Sequence, residues 1–359
     1  MKLLYATSLD LPSTRANRLQ TMSMASAFAA RLGDAFTIGI DRITDSTEVP
    51  QYVRQMYEIR SYVLAWKYLS LAKKENVTHI YCREERLLLF LFLYNWIWFH
   101  SSVRIIYEIH HLVYVDRPIY KYILQHVPFV ISITQQMKNV LVSRGFSADR
   151  IFVAADAVDL TMFSIPLEKD TARTRLGLPL DRTIVLYAGT IDEPWKGVDL
   201  LYEAATHCND SYLFVLVGGK PHYVEAFLAA HPSRSNVLMV GYKPHSEIPE
   251  YLKAADVLVL PNSARSEISR IATSPMKLFE YMASERPIVA SDLPSIREVL
   301  NESTAVLVQA DNVDALAEGI KTASTDVLAT KERIQNAYTA IRDNTWNNRA
   351  DEILKFIAH

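Results

Sequence analysis

Short apolar runs alternate along this chain with longer stretches in which apolar positions recur every three or four residues. In the first half the runs are Leu3–Thr7, Thr37–Ile40, His79–Cys82, Val103–Ile109, Phe129–Thr134 and Ile151–Ala154, with helical patterns over Arg18–Leu32, Leu87–Phe99 and Gln136–Arg144. In the second half the runs are Thr183–Ala188, Tyr212–Val217, Val237–Val240, Val257–Leu260, Pro287–Ala290 and Ala305–Val308. Helical patterns lie between them near Val198–Ala205, Val224–His231, Ile248–Ala255, Pro275–Ser284 and Val313–Ala323. Strand–helix–strand alternation predicts parallel sheets, and its restart predicts two of them.

The break falls in Ser164–Arg182, a charged stretch holding Pro166 and Pro179, where the pattern places an interdomain linker. The chain therefore reads as α/β, two doubly wound parallel-sheet domains in tandem, at 1–165 and 166–342. A last helical pattern within 343–359 has Trp346, Ile353, Leu354 and Ile357 at core-facing positions and is expected to pack back on the first domain.

The length of 359 residues agrees with two domains, and half the residues are hydrophobic. Cys82 and Cys208 are the only cysteines, with no CxxC and no zinc-like spacing, so neither a disulfide framework nor a bound metal is expected. The opening MKLLYATSLDLP reads as a first strand and not a signal peptide, which makes the expected location cytoplasmic.

Leu87–Phe99 (LLLFLFLYNWIWF) is too short to span a bilayer, which takes about 20 residues. It reads either as a helix buried between a sheet and a neighbour or as one lying on a membrane surface. Residues 1–166 carry 18 Lys/Arg and 14 Asp/Glu, against 20 and 26 in the remainder, so the first half is mildly basic and could meet anionic lipid or phosphate. No dense basic run suggests nucleic acid.

In open parallel sheets ligands bind beyond the carboxyl ends of the strands. TSPMKLFEYMASERPIVASD, Thr273–Asp292, reads as a helix opening at Ser274 (N-cap) and Pro275 (first helical residue), then a buried strand. The free N–H groups of such a helix start attract anions. Lys277 and Glu280 share one face, giving a cation for phosphate and a carboxylate for sugar hydroxyls; the plainer reading is a surface helix with an intrahelical Lys–Glu pair.

After Thr183–Ala188 comes GTIDEPWKG, in which Gly189 lets the chain turn and Lys196 stands at a helix entrance, as a phosphate ligand or as a solvated lysine. Gly218 and Gly219 permit close backbone approach or merely a tight turn. His110 and His111 end the run Val103–Ile109; either donates to a substrate hydroxyl or plays a structural part. Ser13, Arg15 and Asn17, near the entrance of the first helix, suit acceptor recognition. No GxSxG, HExxH or Walker-type loop occurs.

SPMKLFEYMASERPIVASDLPSIREVL, YAGTIDEPWKG, VGYKPHSEIPEYLKAADVLVLP and ADAVDLTMF together resemble the retaining, nucleotide-sugar-dependent glycosyltransferases of the GT-B fold, in family 4. The resemblance implies two Rossmann-like domains facing a central cleft, the first for the acceptor, the second for the donor, with the C-terminal helix crossing back. It implies Glu280 on the nucleotide ribose, Lys196 on phosphate and His110 on the donor sugar. Gly189, Thr190, Gly218, Ser274, Pro275, Met276, Lys277 and Leu278 would complete the donor site, and Glu247, Ala255 and Asp256 fall in the family pattern. His110, Lys196 and Glu280 are the implied catalytic set.

Two positions depart from the pattern. Ala272 stands where the family has another glutamate, eight residues before Glu280, and Gly189-Thr190 replaces the usual glycine-arginine. Both go with the SP-x-K variant, in which Lys277, or Arg265 or Arg270, supplies the missing charge. The implied activity is metal-independent hexosyl transfer from a nucleoside-diphosphate sugar to a saccharide or lipid-linked saccharide, in surface polysaccharide or glycan biosynthesis, with peripheral contact to the inner membrane surface. The alternatives are an inactive nucleotide-sugar-binding protein or a sugar-nucleotide epimerase of the same architecture.

Overall fold

A computed structural model describes residues 1–11, 16–43, 49–58 and 60–358, and divides the chain into two units: residues 1–156 with 346–359, and residues 157–345. The first unit holds a seven-stranded parallel sheet. From edge to edge its strands are Val53–Gln55, Phe36–Ile40, Leu3–Ala6, His79–Cys82, Arg104–Ile109, Phe129–Ser132 and Ile151–Val153. The strands are nearly continuous apolar runs because helices cover both faces of such a sheet.

The second unit holds six parallel strands in the order Val237–Gly241, Tyr212–Val217, Thr183–Ala188, Val257–Leu260, Ile288–Ser291 and Val306–Val308. Its core gathers Val185, Tyr187, Phe214, Val257 and Val289 from the strands with Leu201, Leu316 and Ile320 from the helices. In each sheet the chain reverses direction beside the first strand. In the second unit this switch point lies between Thr183–Ala188 and Val257–Leu260, where a doubly wound sheet opens a crevice for ligand.

Four expectations are corrected. The stretch 164–182 is no linker: it contains the helix Lys169–Leu176, which belongs to the second unit. There Arg173 is buried, donating to Ala254 O at 2.9 Å and pairing with Asp256, so its charge is structural, while Glu168, Asp170, Arg175 and Asp181 stay exposed. The unit boundary accordingly falls at 156/157 instead of 165/166.

The apolar run Leu87–Phe99 is not one buried helix. An α-helix covers Glu85–Tyr94, a π-helical turn covers Asn95–Phe99, and His100 ends it at φ 44°. Leu87, Leu88 and Leu91 are buried, whereas Trp96, Ile97 and Trp98 are exposed.

The helix Ser61–Glu75, unmarked in the apolar pattern, buries Leu64, Ala65, Tyr68, Leu69 and Ala72, while Tyr62 and Trp66 on its outer face blur the periodicity. Val327–Ile341 was missed for the opposite reason, since only Ala337 and Ile341 are buried.

The last helix, Trp346–Ile357, lies in the first unit, where Arg31 binds Asp351 through two hydrogen bonds of 2.7 and 2.8 Å.

Candidate functional site

The helix expected to face phosphate spans Met276–Ala283, one residue later than its sequence suggests. Pro275 has extended ψ (117°), so it occupies the cap position, and Leu278 N donates to Pro275 O at 2.8 Å to close the first turn. The expectation of an exposed face is also corrected: Leu278, Phe279, Glu280, Tyr281, Met282 and Ala283 are all buried. Leu278 offers a ligand neither its side chain, which is in the core, nor its N–H, which is spent within the turn.

Lys277 and Glu280 each find another partner. Lys277 Nζ donates to Tyr187 Oη at 2.9 Å and lies 4.1 Å from the ring centre, while Glu280 Oε1 is 2.8 Å from His245 Nε2. Tyr187 Oη in turn donates to Thr190 O at 2.7 Å, and Tyr281 Oη accepts from Ala188 N at 2.8 Å. These bonds bind the helix to the end of the first strand of the sheet.

A Cβ on Gly189 would stand 2.2 Å from Lys277 Nζ, the movable end of that side chain, and 2.9 Å from Tyr187 Oη. Gly218 backs the same turn: a Cβ on it would stand 1.9 Å from Gly189 O. Across the switch point, the turn Pro194–Lys196 is pinned by Ser263 N donating to Trp195 O at 2.9 Å, and a Cβ on Gly197 would meet Pro261 O at 1.8 Å. The result is a backbone cradle that only glycines permit, with two ammonium groups at its rim.

Both ammonium groups hold their protons less tightly than a solvated lysine does. Lys277 titrates well below the usual lysine range, first because it is desolvated and then because Lys196 repels it; Glu280 only partly offsets this. Burial pulls Lys196 down to about 8, against the attraction of Glu193 and Asp192, while its Nζ sits 3.7 Å over the Trp195 ring. An anion placed between them would restore both charges. Of the other cations considered, Arg265 is exposed and 3.9 Å from Asp311, and Arg270 donates to Ala264 O at 2.6 Å.

His245 is a site residue that sequence reasoning missed. Its ring lies 5.3 Å from that of Phe163, tilted by 58°, and it is raised above the usual imidazole range: burial alone would lower it, but the bond and charge of Glu280 outweigh that. Its signal in the sequence was the strand-to-helix turn VGYKPHSE, read only for Glu247. Ser274 and Ala272 are both buried. Asp256 takes Lys169, Arg173 and Ile184 N as partners and is structural.

The first unit holds a separate polar cluster. His110 Nε2 is 2.6 Å from Glu108 Oε1, and Glu108, fully buried, also accepts from Gln20 Nε2 at 2.7 Å, Arg349 Nη2 at 3.1 Å and Tyr81. Burial and the nearby Arg83 push His110 down to about 4, so it is neutral at pH 7. Glu108 stays well below the carboxylate range: burial works against it, but Arg349 and His110 prevail. None of Glu108, Gln20, Arg83 or Arg349 was singled out in the sequence, because each is scattered over different elements. Ser13 and Arg15 lie outside the described residues; Asn17 is exposed, and its carbonyl accepts from Arg83 at 2.9 Å. Among the described residues no cluster of three His, Cys, Asp or Glu side chains could hold a metal ion.

Two tandem Rossmann-like sheets define the chain as one of the GT-B fold. Residues 182–326, most of the second unit, match the family described as Glycosyl transferases group 1. A D-inositol 3-phosphate glycosyltransferase of Xylanimonas cellulosilytica is 32% identical over 200 residues, covering 52% of this chain and 46% of that relative. The chain thus spans about half the length of the curated relative it matches. Among solved structures, HepE of Anabaena in complex with UDP superposes with TM-score 0.78 at 18% identity, covering 100% of both chains. Sucrose-phosphate synthase from Thermosynechococcus elongatus gives 0.79 at 18% identity, covering 100% of this chain and 98% of that one.

Proposed function

We propose that this chain is a retaining glycosyltransferase that moves a hexosyl group from a nucleoside-diphosphate sugar to a hydroxyl of a saccharide or lipid-linked saccharide, in glycan or surface-polysaccharide assembly. The observation that carries this reading is the pair of lysines, Lys196 and Lys277, held with lowered proton affinity around a glycine cradle at a helix start. A diphosphate supplies the missing counter-charge. The family match over 182–326 supports it, as do similar folds determined with UDP and with UDP-glucose.

In this reading the diphosphate lies between Lys196 and the N–H groups at the start of Met276–Ala283, and Glu280 accepts from the ribose hydroxyls. As the bond from the anomeric carbon to the phosphate oxygen breaks, negative charge grows on the leaving diphosphate, and the fixed ammonium groups stabilise it. They take the part that a divalent cation plays elsewhere, so turnover should persist in excess chelator. The acceptor hydroxyl attacks from the face the diphosphate leaves, which keeps the anomeric configuration. His110, neutral and fixed by Glu108, is suited to hydrogen-bond a sugar hydroxyl without charge.

The test is transfer and donor hydrolysis by the purified chain against UDP-, GDP- and ADP-sugars, with thermal shift for binding. Lys196→Ala and Glu280→Ala should each cost about 2–4 kcal/mol of transition-state stabilisation. Binding without turnover would favour the inactive-protein reading, to which Ala272 and Thr190 point. Interconversion of donors without acceptor would favour an epimerase.

A further inference from the structure

The helices Ser61–Glu75 and Glu85–Tyr94 of the first unit pack against each other and, with the turn Asn95–Phe99, present an aromatic face to solvent. Trp96 is 62% exposed, Trp98 56% and Trp66 47%. Their rings form one cluster with their neighbours: Trp66 lies 4.9 Å from Phe99 and 6.2 Å from Trp98, and Tyr94 lies 5.1 Å from Trp98. Exposed Ile97 and Tyr62 extend it, the latter through Phe90 at 6.0 Å. On the helix Pro118–His126, exposed Tyr122 lies 6.3 Å from Phe92.

A contiguous exposed patch of large apolar rings marks an interaction surface. Its chemistry favours one occupant. Trp and Tyr combine an apolar body with a polar tip and settle at the boundary between hydrocarbon and water. The exposed charges on these helices are all positive, Lys73, Lys74, Arg86 and Lys121, while the acids Glu75 and Glu85 are half-buried and Glu75 pairs with Lys2 and Arg54. Lys73 lies two helical turns beyond Trp66, on the same side of its helix. A second copy of the chain would bring two such basic rims together, whereas anionic headgroups complement them. Among the described residues no helix is long and apolar enough to cross a membrane, so contact is confined to the surface.

We propose that this face, centred on Trp66, Trp96 and Trp98, docks the first unit on the surface of an anionic lipid bilayer. The inference rests on the first unit alone and stands or falls apart from the transfer reaction. The test is flotation of the full chain with vesicles of phosphatidylglycerol and phosphatidylcholine in equal parts, compared with phosphatidylcholine alone. The chain should float with the anionic vesicles, its tryptophan emission should shift to shorter wavelength, and added salt should release it. The pair Trp96→Ser with Trp98→Ser should lower partition at least about tenfold, and Lys73→Glu with Lys74→Glu by about tenfold, with unfolding temperature unchanged. Wild type that fails to float, or variants that float as wild type does, would overturn the proposal. So would a concentration-dependent dimer dispersed by the tryptophan variants in the absence of flotation, which would assign the face to a second copy.

Discussion

His245 Nε2 stands 2.8 Å from Glu280 Oε1, so the carboxylate proposed for the ribose already has an imidazole partner within its own unit. The pair orients Glu280, which is buried and would be costly to leave unpaired. On the proposed reading a ribose hydroxyl would meet a carboxylate whose geometry is set beforehand.

That pair makes a stability prediction with a definite sign. His245 holds its proton more tightly folded than unfolded, so its contribution is fully present below the unfolded value near 6.5 and is lost as pH rises through the higher folded value. His245→Asn should therefore lower the unfolding temperature more at pH 6 than at pH 9. The difference should correspond to about 0.5–1 kcal/mol, since the imidazole is partly solvated. Equal losses at both pH values in calorimetry would contradict it.

Proton uptake tests the lysine cradle. With Lys196 near 8, a share of its ammonium is deprotonated at pH 8.5; Lys277 is lowered as well, and a bound diphosphate favours the charged forms of both. Titration calorimetry of UDP in buffers of different ionisation enthalpy should show net uptake at pH 8.5, and affinity should weaken as pH rises. Lys196→Ala should reduce the uptake. Proton release on binding would rule out this assignment.

Backbone approach gives a graded pair of substitutions. Gly197→Ala puts a methyl 1.8 Å from Pro261 O, which is backbone and cannot move aside cheaply, and should cost at least about 2 kcal/mol of stability. Gly145→Ala, also at positive φ but with nothing within 4 Å, should cost only about 1–2 kcal/mol. Denaturant midpoints of the two variants test the order, which should be Gly197→Ala below Gly145→Ala.

In the first unit, Arg349→Met leaves Glu108 buried without its guanidinium and should destabilise by about 3–5 kcal/mol. His110 adds a pH dependence of opposite sense to that of His245. Folded, it binds a proton only near pH 4, while unfolded it does so near 6.5, so its effect is to reduce stability as pH falls between those values. Nuclear magnetic resonance of the imidazole should find it neutral at pH 5.5; a protonated ring there would contradict the burial argument.

The two sheets were legible because fully buried parallel strands, such as Val257–Leu260 and Ile288–Ser291, are written as unbroken apolar runs. Ser61–Glu75 was not legible, since outward-facing Tyr62 and Trp66 give it apolar residues on two sides. The lysines and Glu280 stood out because each follows a strand or opens a helix, where local spacing suffices. His245, Glu108 and Arg349 did not, because their significance lies in partners 35, 2 and 241 positions away, a mixture of separations that no local pattern encodes.

The sequence by itself therefore determined the alternation of elements, the two-sheet architecture and the glycine and lysine positions of the candidate site, all of which follow from periodicity and short-range backbone chemistry. Only the tertiary structure decided which charges are satisfied and which are not. Lys277 became a desolvated neighbour of Tyr187 and Glu280 a partner of His245, while Asp256 was withdrawn into a structural pair with Arg173. Burial and the distance between groups far apart in the chain set proton affinity, and neither quantity exists until the sheets have closed around them.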